Sequence, residues 1–211
     1  MSARNLLITT GALLLFALPS FGQSQPSTPP SSTPSTTAPD KPGTIPQRKD
    51  NQQDRIAQGV QSGQLTAGET KNLENKEADI NKEERNMRSA DDGHLTAADR
   101  AKLNRQQNGM SNQIYQDKHN AATAHYGSGE IGQRRQNQQD RIAQGIKSGQ
   151  LTPRETAKLE NQQQGINREV KGMRQANGGK LTQADKKAVN QQQNQASKNI
   201  YNKKHNAAKG K

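Results

Sequence analysis

The chain has 211 residues, of which 27% are hydrophobic and 2% aromatic, and its formal net charge is +12. So small an apolar share excludes a large globular core and favours thin packing between helices. The sequence contains no cysteine, which excludes disulfide bonds, thiolate nucleophiles and cysteine-ligated zinc.

Residues 1–22 have the three parts of a secretory signal peptide. Arg4 supplies a positive charge, an apolar stretch runs from Leu6 to Leu18, and Ser20-Phe21-Gly22 places small residues before a cleavage site. We therefore expect cleavage before Gln23 and a periplasmic or secreted location. The apolar run is short for a membrane span, so no transmembrane helix is expected after cleavage. An uncleaved membrane anchor is the alternative.

A segment rich in proline, serine and threonine follows at residues 23–46. Such a composition offers no apolar surface to bury and favours extended conformations. The sequence therefore predicts a disordered linker that acts as a tether.

Two copies of one repeat make up the rest of the chain. Residues 48–122 align with 134–208 at a constant offset of 86, without a gap, and about half of the aligned positions are identical. We place repeat 1 at 47–122, a glycine-rich joint at 123–133 and repeat 2 at 134–211.

A shorter period of 30 residues lies within each copy and predicts two tight turns there. In its motif, Gly-x-Leu-Thr-x-x-acid, the glycine can end one helix in the left-handed conformation. The threonine and the acid can then form a capping box at the start of the next helix, a role in which Asp is a poorer partner than Glu. The motif comprises Gly63, Thr66 and Glu69; Gly93, Thr96 and Asp99; Gly149, Thr152 and Glu155; and Gly179, Thr182 and Asp185.

Each copy is thus predicted to be helix-turn-helix-turn-helix, and the fold class all-α with two tandem three-helix repeats. Apolar residues at intervals of seven, such as Leu73, Ile80 and Met87, predict a narrow seam between long antiparallel helices. Tyr115 and Tyr201 are expected to pack on this seam. A run of glutamine and asparagine at 190–195 leaves aggregation-prone disorder as a competing interpretation of the last helix.

The positive charge belongs to the second repeat. Residues 48–122 contain 12 basic and 12 acidic side chains, whereas 134–211 contain 17 and 5. A basic module can hold anionic envelope polymers, and we assign this attraction to residues such as Lys186, Lys187, Lys203 and Lys204. The alternative is that the charge only keeps a thin-cored protein soluble. Cytoplasmic nucleic acid is not expected as a partner, given the signal peptide and the few aromatic residues.

No catalytic motif is recognisable, so we predict no enzyme activity, no catalytic residue and no cofactor. The turns resemble the second half of an EF-hand calcium loop, but the first ligand positions fall on residues such as Arg88 and Ala90, so no metal site is predicted. His119 and His205 are assigned to helix C-termini.

Glu83 and Glu84 lie beside Lys82 and Arg85, a pattern typical of a solvated charged helix face. We therefore expect both glutamates to be exposed.

The whole pattern, from RIAQGVQSGQLT to IYQDKHN, resembles a group of exported bacterial helical proteins that carry one or several copies of it. The resemblance spans nearly all of 48–211 and implies a periplasmic or secreted helical repeat, but no particular activity. We therefore expect a non-enzymatic protein that binds or organises anionic cell-envelope or extracellular components through its basic second repeat. The alternatives are a degenerate EF-hand-like divalent-metal-binding protein and a weakly folded solubility or stress-type protein.

Overall fold

The computed structural model describes residues 43–210, and this part of the chain is all-α, as predicted. Each helix of the second copy has the bounds of its counterpart shifted by 86, to within one residue. The predicted signal peptide and most of the predicted tether lie outside the described residues. The six helices are α1 (Ile45–Ser62), α2 (Ala67–Ala90), α3 (Ala97–His119), α4 (Glu130–Lys147), α5 (Pro153–Ala176) and α6 (Gln183–Lys204).

The first helix of each copy begins earlier than the sequence indicated. Helix α1 starts at Ile45, inside the predicted tether, because Thr44 and Gln47 form a capping box and Pro46 lies in the first turn, where its missing N–H costs nothing. Ile45 is also buried, which anchors the start of the helix. Helix α4 starts at Glu130, four residues before the predicted boundary of repeat 2 at residue 134, with Gly129 as its N-cap.

The first turn of each copy depends on a glycine that leaves room for a leucine. The Leu65 N–H donates to the Gly59 carbonyl at 2.9 Å, which brings the leucine side chain back onto α1. A Cβ atom on Gly59 would lie 2.6 Å from Leu65 Cδ1, so no larger residue fits without movement. Gly145 and Leu151 repeat this arrangement with the same 2.6 Å approach. Both leucines are 1% exposed, so they close the end of the core.

The two copies share their larger hydrophobic cluster, and a second, smaller one, formed by Ile166, Val170, Val189 and Ala196, belongs to the second copy alone. Leucines and isoleucines of α1 to α3 form a single buried cluster with counterparts from α4 to α6, among them Ile56, Leu73, Ile142 and Leu159. Each such side chain contributes ~2 kcal/mol through burial. Helix α2 packs most extensively on α5, and α1 on α4, so the first two helices of each copy contact their own counterparts in the other copy, whereas α3 and α6 do not touch. The copies therefore build one body together.

Glutamine side chains hold the third helix of each copy to the first. Gln52 Nε2 donates to the Gln107 carbonyl at 2.7 Å and to Ser111 Oγ at 2.9 Å. The equivalent Gln138 donates to the Gln193 carbonyl at 2.7 Å and to Ser197 Oγ at 2.8 Å. The glutamine and asparagine run at 190–195 is accordingly part of α6, where its polar side chains bond to neighbouring helices.

Candidate anion-binding site

The four Gly-x-Leu-Thr-x-x-acid motifs form the capping turns of the structure. The Glu69 N–H donates to Thr66 Oγ1 at 3.3 Å, while Glu69 Oε2 accepts from the Thr66 N–H at 2.9 Å. The Asp99 box has equivalent bonds of 3.1 and 3.0 Å, so the shorter acid caps with the same geometry. Glu155 and Asp185 complete the other two boxes. The glycines Gly63, Gly93, Gly149 and Gly179 all have left-handed φ angles between 67° and 87°.

Two hydrogen bonds from Thr96 hold the pKa of Asp99 below its ordinary value, and the bond from the threonine side chain has a larger effect than the bond from its backbone. Thr182 lowers the pKa of Asp185 in the same way. These carboxylates are therefore committed to the backbone of their own helices.

The end of each third helix is fastened to the first capping turn of its own copy. Asn120 Nδ2 donates to Glu69 Oε1 at 2.7 Å, and Asn206 donates in the same way to Glu155. The carboxylate of each capping glutamate thus serves two elements at once, which the sequence did not indicate.

The two tyrosines lie outside the core, contrary to the expectation that they pack on the seam. Tyr115 is 60% exposed and Tyr201 57% exposed, and each stacks on the histidine four residues later at about 4 Å between ring centroids. His119 Nδ1 lies 2.7 Å from the Tyr115 carbonyl oxygen. The inward positions are filled by the preceding isoleucines, Ile114 and Ile200, which are fully buried.

The four lysines proposed from the sequence form two pairs at opposite ends of α6. Lys186 and Lys187 are exposed in its first turn, whereas Lys203 and Lys204 are half-buried in its last turn. At 1.5 Å per residue the pairs lie roughly 25 Å apart along the helix. They are therefore two sites of positive charge.

The half-buried pair has structural contacts. The Lys204 side chain packs on Gly145, as Lys118 does on Gly59 in the first copy. Burial, followed by the charge of Arg141, lowers the pKa of Lys204. Lys186 and Lys187 are thus the freer of the two pairs.

Three cations of the first copy, Lys49, Arg88 and Lys102, form ion pairs with glutamates of α2. Glu84 accepts from Lys49 Nζ at 3.2 Å and from an Arg88 guanidinium nitrogen at 2.9 Å, and Glu83 pairs with Lys102. Glu84 is 7% exposed, so the sequence-based assignment of this residue to a solvated face is wrong; the reason is that Lys49, 35 residues away, covers it. Burial raises the pKa of Glu84, but the Arg88 hydrogen bond and the Lys49 charge outweigh it, and the net pKa is lowered.

At the Glu84 site the second copy keeps the two cations and lacks the acid, whereas at the Glu83–Lys102 pair it keeps the acid, as Glu169, and has Ala188 in place of the lysine. The positions equivalent to Lys49, Glu84 and Arg88 are Arg135, Val170 and Arg174. In the described part of this copy no lysine or arginine forms an ion pair with a carboxylate. This difference could have been found in the sequence by aligning the two copies position by position, because the acid is replaced while its two basic partners remain.

A layer of buried carboxyl groups lies where α2 meets α5. The equivalent residues Glu74 and Glu160 are both fully buried, and each accepts one hydrogen bond, from Gln53 at 3.3 Å and from Gln139 at 2.9 Å. Burial raises the pKa of both carboxyls, that of Glu160 to about 8. The charges of Glu77 and then Glu160 raise the pKa of Glu74 further. Because solvent and ligands do not reach these side chains, they pack the interface between α2 and α5, where burial favours their neutral form.

Among residues 43–210 no three histidine or acidic side chains are grouped so as to hold a metal ion. In the same part of the chain no helix has both the length and the apolarity of a membrane span. No protein-family model, no curated protein and no solved structure matches the chain.

Proposed function

We propose that this protein is a non-enzymatic, exported helical protein that binds anionic polymers of the cell envelope or its surroundings through its second copy. The observation that carries the proposal is the comparison of ion pairs between the copies. Both copies have the same helices, yet the lysines and arginines of the second have no acidic partner among the described residues. A fold that needed this charge would carry it in both copies.

The charge difference arises mainly from lost acids. Repeat 1 has 12 acidic side chains and residues 134–211 have 5, while the basic side chains rise from 12 to 17. Removing acids leaves cations free for an external anion, whereas solubility alone is served better by added acids than by added lysines and arginines. The exposed pair Lys186 and Lys187 belongs to this free set.

The geometry gives no support to the divalent-metal alternative, because the carboxylates of the turns are used in capping boxes. It likewise gives none to a weakly folded protein, since the helices share a buried core.

The test uses the full chain, because the two copies share their larger hydrophobic cluster. Retention on immobilised polygalacturonate, a carboxylated polysaccharide, is measured against neutral dextran at about 50 and about 200 mM salt. We expect retention on the acidic polymer alone and a loss of roughly tenfold or more at the higher salt. Salt-independent retention, or equal retention on dextran, would contradict the proposal.

Matched charge variants locate the binding surface. The double variant Lys186→Gln/Lys187→Gln removes two exposed charges from the second copy, and Lys82→Gln/Arg85→Gln removes two from the first. We expect the first variant to weaken retention and the second to leave it near the wild-type level. Equal losses in both would show that net charge alone is responsible.

A further inference from the structure

A cavity of about 580 Å³ lies in the second copy, between the start of α4, the end of α5 and the joint before α4. Its lining includes four basic side chains, His125, Arg135, Lys171 and Arg174, and no carboxylate. Val170 forms part of its wall. We refer to it as the Arg135–Arg174 cavity.

Arg135 is held in this cavity without an anionic partner. Its guanidinium carbon lies 5.4 Å from the centre of the Tyr126 ring, and its Nε is buried with no hydrogen-bond partner. Burial is the largest influence on the Arg135 pKa and lowers it; the phenol of Tyr126 opposes this, and the charge of Arg174 lowers the pKa further. Arg135 is thus partly desolvated beside the exposed Arg174, and a carboxylate placed between them can pair with both guanidinium groups.

The first copy shows which anion the arrangement fits. There the carboxylate of Glu84 lies between Lys49 and Arg88, at 3.2 and 2.9 Å, and it stands where Val170 stands in the second copy. The change from glutamate to valine removes the internal carboxylate and retains both cations. The second copy therefore has the surroundings of a carboxylate without the carboxylate itself.

We propose that the Arg135–Arg174 cavity binds the carboxylate of a small polar acid of the sugar-acid class. The carboxylate pairs with the two arginines, as Glu84 does with Lys49 and Arg88. The volume exceeds what a carboxylate alone fills, and the amides of Asn167 and Gln175 with the Lys171 ammonium can bond to hydroxyl groups of the attached body. The cavity extends the proposed polymer binding but uses residues other than Lys186 and Lys187, so the two can fail separately.

The binding test is calorimetric titration of the full chain with galacturonate, with its uncharged methyl ester and with inorganic phosphate. We expect galacturonate to bind at least about tenfold more tightly than the ester, because the ester lacks the charge that pairs with the arginines. Titration with trigalacturonate distinguishes a free acid from a polymer as the natural ligand. If trigalacturonate binds more tightly than galacturonate, the ligand is a polymer. If the two bind equally, the ligand is the free acid. A flat galacturonate titration, or tighter binding of phosphate, would overturn the proposal.

Substitutions locate the bound acid. Val170→Glu places a carboxylate beside Arg135 and Arg174, so we expect galacturonate affinity to fall at least about tenfold; because Val170 lies in a buried apolar cluster, circular dichroism must show that the variant keeps its helices. Arg174→Gln, at an exposed position where folding is not at risk, should weaken galacturonate by a similar factor. Lys186→Gln/Lys187→Gln should leave galacturonate affinity unchanged while reducing polymer retention. Unchanged affinity in both the Val170 and the Arg174 variants would refute the assignment.

Discussion

Glu77 offers a sharp test of how burial and protonation control the stability of this fold. It is 1% exposed, and neither of its carboxyl oxygens has a hydrogen-bond partner. The equivalent residue in the second copy is Gln163, whose Nε2 donates to Gln138 Oε1 at 3.0 Å. The matching acceptor in the first copy, Gln52 Oε1, has no donor. When Glu77 is protonated, its O–H group can donate to Gln52 Oε1, as the Gln163 amide donates to Gln138 Oε1 at every pH.

The pKa of Glu77 gives the size and sign of the effect. Burial raises it from 4.5 to about 7; the charge of Lys49 opposes this and that of Glu84 adds to it. Between these two values the folded chain keeps a proton on Glu77 that the unfolded chain loses. The stabilisation from the protonated carboxyl is therefore complete below pH 4.5 and is lost as the pH rises to about 7. At about 1.4 kcal/mol per pH unit, the ionised carboxylate costs on the order of 3 kcal/mol.

Glu77→Gln removes this cost and keeps the shape of the side chain. Urea unfolding of the full chain, followed by circular dichroism, should show the variant more stable than wild type by about 3 kcal/mol at about pH 8. At about pH 5 the gain should fall below about 1 kcal/mol. Asp79→Asn makes the same charge change at an exposed position of α2 and should give a small, nearly pH-independent difference. The reasoning is refuted if Glu77→Gln keeps the wild-type pH dependence.

Three further substitutions test the turns and the packing by the same unfolding assay. Thr152→Ala removes the oxygen that accepts from the Glu155 N–H at 3.3 Å, so the free energy of unfolding should fall by about 1 kcal/mol; an unchanged value would rule out a capping contribution. Gly59→Ala brings a methyl group 2.6 Å from the Leu65 side chain, and we expect a loss of roughly 1–3 kcal/mol. Gly109→Ala meets no atom within 4 Å inside α3 and should add roughly 0.5–1 kcal/mol. Shifts of these two alanine variants in the same direction would contradict the packing argument.

The turns could be predicted because their causes are local. A glycine with positive φ, a threonine oxygen and an acid three residues later satisfy backbone groups within one segment, and no distant residue is needed. The geometry of the turn formed by Gly63, Thr66 and Glu69 therefore follows from these residues alone. The start of α1 was missed although its capping box of Thr44 and Gln47 is equally local, because the proline-, serine- and threonine-rich composition before it indicated a tether.

The shared core could not be predicted, because its partners are far apart in the chain. By residue type alone, Gln52 and Glu84 resemble surface residues. Only the folded chain places Ser111 beside Gln52 and Lys49 beside Glu84. The sparse apolar stripe likewise predicts a seam without saying which helix lies across it. The contacts of α2 with α5 decide that, and they bury polar side chains that composition alone assigns to solvent.

The contacts of α1 with α4 and of α2 with α5, each helix with its own counterpart, have a consequence for how the two halves diverge. Such like-with-like contact is the pattern of a two-fold symmetric pair of identical subunits, in which every mutation occurs twice. Here the pair is covalently joined, so each half mutates alone. One side can retain Glu84 and Glu77 while the other holds Val170 and Gln163. Covalent joining thus allows a buried contact to be kept in one half while the equivalent position changes in the other.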